Sequence, residues 1–158
     1  MEALKVKSSA FNEGGWIPVR HSGRGEDLSP PLELENIAPG AGSVAVIMDD
    51  ASHPFFPNYN HWVLWNLPVQ TAIPEAVPHG RTVEALGGAM QGLGYGRHRY
   101  KGPKPPLKVI HTYVFTVYVL DSRLNLPAGS RKRDLLAAME GHVLQQTSLS
   151  GQFQSRRE

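Results

Sequence analysis

The chain has 158 residues, a formal net charge of +2 and no cysteine. That length suits a single domain spanning residues 1–158, and 41% hydrophobic with 19% charged residues is typical of an ordered globular protein. The lack of cysteine excludes disulfides, thiolate nucleophiles and cysteine-based zinc sites. Thirteen prolines and sixteen glycines predict many turns, which favours a mainly β fold.

The amino-terminal segment MEALKVKSSAF does not have the charged start and apolar core of a signal peptide. No apolar run approaches the about 20 residues that a helix needs to cross a bilayer. The sequence therefore predicts a cytoplasmic protein without a membrane span. Basic residues crowd positions 97–108 and 131–133, but a charge of +2 gives too little support to predict a nucleic-acid partner.

The first half of the chain predicts several strands. Residues 4–11 are predicted to form the first, and LELENI (32–37) alternates apolar with polar residues, which indicates a half-exposed strand after Pro30 and Pro31. VAVIM (44–48) is apolar throughout and rich in β-branched residues. It predicts a central strand covered on both faces, and WVLWNL (62–67) is similar.

The second half begins with a long loop. Residues 70–110 contain no long apolar run, only a short extended piece near Ile73, and loops of that length are usually functional. TYVFTVYVL (112–120) is the strongest predicted strand. Residues 130–146 are the only predicted helix, with Ser130 as N-cap and an apolar stripe at helical spacing. LSGQF predicts a short terminal strand.

Ionisable residues lie at one end of each of the three apolar runs. Asp50 follows the first and His61 precedes the second, while His111 and Tyr113 open the third on one face. Paired in one sheet, these ends would converge on a site that suits a phosphate or carboxylate, beside the stiff loop GPKPP (102–106). A simpler interpretation also fits, since histidines at strand ends are commonly solvated and Asp49-Asp50 opens a good turn sequence.

Six motifs in order carry a resemblance to a known family. They are SSAF, DLSPPLEL (27–34), VAVIMDDASHP (44–54), HWVLWNLP (61–68), GYGRHRYKGPKPP before HTYVFTVYVLD, and AAMEGHVLQQTSLSGQF. Together they resemble the phosphatidylethanolamine-binding protein family, specifically its bacterial and archaeal, Raf kinase inhibitor-like branch. The resemblance implies a mainly β fold of two packed antiparallel sheets, one large and central and one small, with one or two short helices near the C-terminus.

The resemblance also implies a small anion pocket at one end of the central sheet. Its ligand-binding residues are Asp50, His61, Gly102, Pro106, His111 and Tyr113. It further implies a cis peptide bond before Pro54. The chain departs from the family's motifs at Ala51, Ser52, Lys104 and Thr112. Loss of an acidic residue at Ser52 predicts a preference for phosphate.

These residues predict a non-enzymatic protein that binds a small anion, namely a phosphate, a phospholipid head group or another phosphorylated ligand, without a cofactor. The family resemblance adds modulation of a kinase or protease partner. The alternative is a metal-dependent or acid–base enzyme that uses Asp50, His61 and His111. The sequence does not fix the oligomeric state, and a homodimer is compatible with it.

Overall fold

A buried strand at the centre of a seven-stranded sheet organises the molecule. The computed structural model describes residues 2–156. Its elements, in chain order, are β1 (Lys5–Lys7), β2 (Gly15–Trp16), β3 (Leu32–Glu35), β4 (Ser43–Asp50), β5 (Tyr59–Leu67), β6 (Ala72–Ile73), β7 (Thr82–Val83), β8 (Ala89–Gln91), β9 (Ile110–Leu120), α1 (Lys132–Met139) and β10 (Val143–Gln154). Short 3-10 turns lie at Val19–His21 and Glu84–Leu86.

The large sheet has the strand order β2-β10-β9-β4-β5-β8-β7, and the small sheet has the order β1-β3-β6. Every pairing is antiparallel except that of β2 with β10, which is parallel. The predicted architecture of a large and a small sheet with one or two short helices near the C-terminus is therefore confirmed, and there is one such α-helix within residues 2–156. The parallel edge strand was not predicted.

The two faces of β4 explain why VAVIM is apolar at every position. Val44, Val46 and Met48 belong to a core cluster that includes residues of the small sheet. Ala45 and Ile47 face the other way, into a second cluster with Leu135 and Met139 of α1. Because successive side chains of a strand point to opposite faces, a strand covered by a sheet on one side and a helix on the other must be apolar throughout.

The predicted helix over residues 130–146 was wrong in both bounds. The helix covers Lys132–Met139, its N-cap is Arg131 rather than Ser130, and the Asp134 carboxylate accepts a 2.9 Å hydrogen bond from the Arg131 backbone N–H. Gly141, at φ +83°, follows its end. Residues Val143–Gln154 then form β10, which pairs along its length with β9. This long-range pairing overrides the helical pattern of residues 140–146.

Other short elements differ from the sequence expectations. The first strand is only Lys5–Lys7, whereas the extended piece predicted near Ile73 is present as β6. The long loop also contains β7 and β8, which extend the large sheet beyond β5. No helix within residues 2–156 has the length and apolar character needed to span a membrane.

Candidate functional site

The ends of β4, β5 and β9 meet at one side of the large sheet, as the sequence predicted. β4 lies between the other two strands, and Asp50 pairs with Tyr113 of β9 and Tyr59 of β5. A cavity of about 490 Å³ opens there. All six predicted site residues line it: Asp50, His61, Gly102, Pro106, His111 and Tyr113. This volume is in the range of small-molecule sites.

His61 reaches this cavity through a β-bulge. Trp62 of β5 pairs with Met48, and Asn60 pairs with the next residue, Asp49, so His61 is the extra residue of the pair. Regular alternation would put His61 on the opposite face from Trp62. The irregularity instead re-aims the side chain towards the cavity, as bulges beside functional sites commonly do.

His111 and Asp50 form a buried pair. The Nδ1 atom of His111 lies 2.7 Å from Oδ2 of Asp50, and the two residues are 6% and 3% exposed. The other carboxylate oxygen of Asp50 accepts a 2.9 Å hydrogen bond from the Ser52 backbone N–H. Because an ionised carboxylate can only accept, Nδ1 of His111 must carry a proton, and Nε2 is the ring nitrogen left for a ligand.

His61 is held in the same way by a backbone group. Its Nδ1 donates a 2.7 Å hydrogen bond to the Lys101 carbonyl, so Nε2 is again the remaining nitrogen. Burial lowers the pKa of His61, opposed by the Lys101 carbonyl and the Asp50 carboxylate, both of which raise it. A neutral His61 therefore presents an Nε2 lone pair, whereas a protonated one presents a donor.

The lining also contains the Tyr113 hydroxyl and two lysines. Burial raises the pKa of Tyr113, reinforced by the nearby Asp50 carboxylate, so its hydroxyl keeps its proton. Lys101 and Lys104 also line the cavity, and Nζ of Lys101 lies 5.9 Å from the centre of the Tyr95 ring. With His53, His61 and His111 neutral, the lining carries the two positive charges of Lys101 and Lys104 and the single negative charge of Asp50.

The loop carrying Gly102 to Pro106 is fixed by contacts with an earlier segment. The Gly102 backbone N–H donates a 2.8 Å hydrogen bond to Oδ1 of Asp27, and the Gly23 N–H donates one of 2.8 Å to the Pro103 carbonyl. A Cβ atom at Gly102 would collide with Asp27 Oδ1 and the His21 carbonyl oxygen. Only glycine allows this close approach.

Comparison with known proteins identifies the family that has this architecture. Residues 7–154 match the phosphatidylethanolamine-binding protein family. The chain belongs to that family. Among its relatives are UPF0098 proteins of archaea and bacteria. That of Pyrococcus horikoshii is 38% identical and aligns over 98% of this chain and 78% of its own length. That of Methanothermobacter thermautotrophicus is 41% identical, over 95% of this chain and 98% of its own.

Solved structures of family members have the same fold. A putative phosphatidylethanolamine-binding protein homologue from Chlamydia trachomatis superposes with a TM-score of 0.86 and 31% identity, covering 98% of this chain and 99% of its own. YbcL from E. coli gives a TM-score of 0.85 at 22% identity, covering 97% and 99%. At 22% identity, the similarity to YbcL establishes only a shared fold.

The cis peptide bond that the family resemblance implied before Pro54 is absent, because residues 2–156 contain no cis peptide bond. The turn after β4 is made instead by side-chain acceptors. Oδ1 of Asp50 accepts the Ser52 N–H, and Nδ1 of His53 accepts the N–H groups of Phe55 and Phe56 at 3.2 and 3.0 Å. Strand β4 aims Asp50 into the cavity without help from a cis bond.

Two of the departures from the family's motifs contact each other rather than the cavity. The Oγ atom of Ser52 accepts a 2.9 Å hydrogen bond from the Thr112 backbone N–H, and neither residue lines the cavity. Lys104 does line it and adds a cation.

Sequence reasoning missed several contributors to the site. Phe55 directly follows the motif VAVIMDDASHP but was not predicted as a site residue. It lines the cavity and is 80% exposed. Lys101 was noted only as part of a basic loop, whereas its carbonyl orients His61. Asp27 braces the loop at Gly102 across a separation of 75 residues. Residues that far apart leave no local pattern from which their contact could be predicted.

The alternative of a metal-dependent or acid–base enzyme requires Asp50, His61 and His111 to act together. Within residues 2–156, no three histidine, aspartate or glutamate side chains are placed to hold one metal ion. Asp50 and His111 are instead hydrogen-bonded to each other, through Oδ2 of Asp50 and Nδ1 of His111. The described cavity lining also contains no serine, threonine or cysteine that the pair could activate as a nucleophile.

Proposed function

We propose that this protein binds a small anionic group, a phosphate or a phosphate-bearing head group, in the cavity at the ends of β4, β5 and β9, and that it does so without catalysing a reaction. Membership of a family named for phosphatidylethanolamine binding supports a ligand-binding role. The observation that carries the anionic preference is the placement of His61 and His111. Both have Nδ1 engaged and Nε2 available in one cavity that also contains Lys101 and Lys104.

The chemistry of these groups matches a phosphate. Protonated imidazole and the ammonium groups donate charge-assisted hydrogen bonds, and the Tyr113 hydroxyl adds a neutral donor. Asp50 is the one carboxylate of the described lining, and its two oxygens are already occupied by His111 and the Ser52 N–H. Because both of its oxygens already accept hydrogen bonds, the Asp50 carboxylate repels a bound anion less than an unpaired carboxylate would.

The proposal is tested by calorimetry at pH 6.5 with inorganic phosphate, phosphoethanolamine and vesicles of phosphatidylethanolamine. Binding of the first two locates the ligand chemistry in the free phosphate group. Binding only to vesicles assigns it to the lipid. His61→Ala and His111→Ala should each weaken binding by roughly tenfold, the loss of one charge-assisted hydrogen bond. His79→Ala, at an exposed histidine outside the cavity, is the matched control. No binding by any probe would refute the proposal.

Modulation of a kinase or protease remains a second proposal. The observation that favours it is the exposure of Phe55, which lines the cavity, and of its neighbour Phe56, at 80% and 60%. Large exposed aromatic side chains commonly mark contact surfaces. Inhibition of purified kinases and serine proteases should be weaker for the variant Phe55→Ser/Phe56→Ser than for the unmutated protein. Equal inhibition by both, or none by either, would exclude this surface.

A further inference from the structure

A second cavity, of about 320 Å³, opens at the same end of the large sheet. It lies on the opposite face from the first, and the alternation of β4 explains why. Asp50 points to the first cavity and contacts His111, whereas the preceding residue, Asp49, points towards α1 and contacts Lys132. Asp50 thus contacts His111, which lines the first cavity, and Asp49 contacts Lys132, which lines the second.

Tyr95 is the wall between the two cavities, since it lines both. Its ring centre lies 4.8 Å from that of His61 in the first cavity and 5.2 Å from that of Tyr59 in the second. Tyr95 is 44% exposed and has a φ of +54°, a backbone conformation that is rare for a large side chain. A ligand in the first cavity therefore has to pass only one aromatic ring to reach the second.

The second cavity is cationic. Arg131, Lys132 and Arg133 line it, and the carboxylates that face them are Asp49 and Asp134. Lys132 is neutralised by Asp49 at 2.6 Å, and Nε of Arg133 lies 3.9 Å from Asp134. Within residues 2–156, no carboxylate lies within 4 Å of the Arg131 guanidinium. Positive charge is therefore left over, chiefly on the two arginines.

The same contacts hold the cavity in shape before any ligand binds. Nδ2 of Asn60 donates a 3.0 Å hydrogen bond to Oδ1 of Asp49, whose Oδ2 accepts one of 2.6 Å from Lys132. This chain ties the first residue of α1 to the ends of β4 and β5. Lys132 thereby acts as an anchor, and the arginines on either side of it remain available.

We infer that the second cavity binds a second anionic group of the ligand whose first anionic group occupies the histidine-lined cavity. The ligand class is a molecule with two phosphates, or a phosphate and a carboxylate, joined by a short flexible spacer that passes Tyr95. Guanidinium groups suit either anion because they donate two parallel hydrogen bonds. The inference rests on the proposed function for the first cavity, but its cationic subsite is separately testable.

The test compares alkane bisphosphonates having ethylene, butylene, hexylene and octylene spacers with monoalkyl phosphonates of matched length, by calorimetry at constant ionic strength. At least one bisphosphonate should bind about tenfold or more tighter than its matched monophosphonate, because the second contact forms intramolecularly. Arg131→Gln/Arg133→Gln should abolish that advantage and leave monophosphonate affinity within about twofold. Arg20→Gln/Arg123→Gln removes the same charge outside both cavities and should change neither affinity.

The outcomes separate the two proposals. Monophosphonates that bind with dependence on His111 but gain nothing from a second phosphonate would overturn the two-cavity ligand and retain the proposed function. The two-cavity ligand would also be overturned if the affinity advantage of the bisphosphonate persisted in Arg131→Gln/Arg133→Gln. A bisphosphonate that binds through the arginines without dependence on His111 would refute the shared ligand, and absence of binding by every probe would refute both proposals.

Discussion

The Nδ1 atom of His111 lies 2.7 Å from Oδ2 of Asp50, across the ends of the neighbouring strands β9 and β4. The pair is buried, and each partner satisfies a polar group that would otherwise lack a partner in the core. Removing one partner leaves the other desolvated and unpaired, which costs more than the hydrogen bond contributes.

A double-mutant cycle measures this relationship. Asp50→Ala and His111→Ala should each lower the free energy of unfolding by roughly 2–4 kcal/mol, since each leaves a buried group unpaired. Asp50→Ala/His111→Ala should cost less than the sum of the two, with a coupling energy of roughly 1–3 kcal/mol. Urea unfolding at pH 7.5 provides all four values. Additive losses would show that the two side chains do not stabilise each other.

Acid stability should depend on His61. Burial lowers the pKa of its imidazole in the folded protein, so the unfolded chain takes up this proton at a higher pH than the folded one. The resulting contribution to stability is fully present above the ordinary histidine pKa of about 6.5 and is lost as the pH falls through the folded value. His61→Gln removes the titrating group and should flatten this part of the curve.

Urea unfolding of both proteins at pH 7.5 and pH 5.5 checks the sign. The free energy of unfolding should fall less on acidification in His61→Gln than in the unmutated chain. His79→Gln removes an exposed histidine and serves as the control. An equal or larger fall in His61→Gln would mean that the folded state does not disfavour the charged ring.

The parts of the site that could be predicted are those encoded by strand periodicity. Asp50, His111 and Tyr113 close or open long apolar runs, so their convergence followed from pairing of those runs. The bulge at His61 could not be predicted, because the extra residue is defined only against the register of β4. Asp27 and Gly102 are likewise joined only by tertiary structure.

Errors arose where long-range pairing competes with a local pattern. Residues 142–146 continue a plausible helical stripe after Gly141, yet Val143, Gln145 and Gln146 pair with β9. The basic residues 131–133 were recognised from the sequence only as a local cluster of positive charge. Their role in a second cavity depends on Asp49, which fixes Lys132 from another strand.

The Gly102 loop should not tolerate a side chain. A Cβ atom there would collide with the Asp27 carboxylate and the His21 carbonyl oxygen, so Gly102→Ala must shift the loop that lines the cavity. We expect a loss of roughly 1–3 kcal/mol in the free energy of unfolding, as for other overpacked sites. Phosphate affinity should fall by roughly tenfold or more, which corresponds to about 1.4 kcal/mol.

Gly129→Ala is the matched control, because no atom lies within 4 Å of a Cβ built there. It should change neither quantity measurably. Thermal unfolding and calorimetry with inorganic phosphate on both variants make the comparison. Full phosphate affinity in Gly102→Ala would show that the position of this loop does not matter for binding.

Anion affinity should rise as the pH falls, because each histidine offers a lone pair at Nε2 until it gains a proton. Ethyl phosphate can bring a proton with it, whereas ethanesulfonate is permanently anionic and cannot. Between pH 8 and about 6.5 the phosphate remains mostly doubly charged, since its second pKa is about 6. Gain of histidine protons should dominate in that range and tighten the binding of both ligands. Below pH 6.5, the phosphate loses charge and its affinity should level off, while that of the sulfonate continues to rise because burial holds the His61 pKa low.

His61→Gln keeps an N–H donor that does not titrate, and it should reduce the slope of log affinity against pH for the sulfonate. Calorimetry at pH 8, 6.5 and 5.5 on both proteins resolves these slopes. Equal affinity of the unmutated protein at pH 8 and 6.5 for both ligands would exclude the histidines as donors and leave the lysines and backbone N–H groups as the groups that bind the anion.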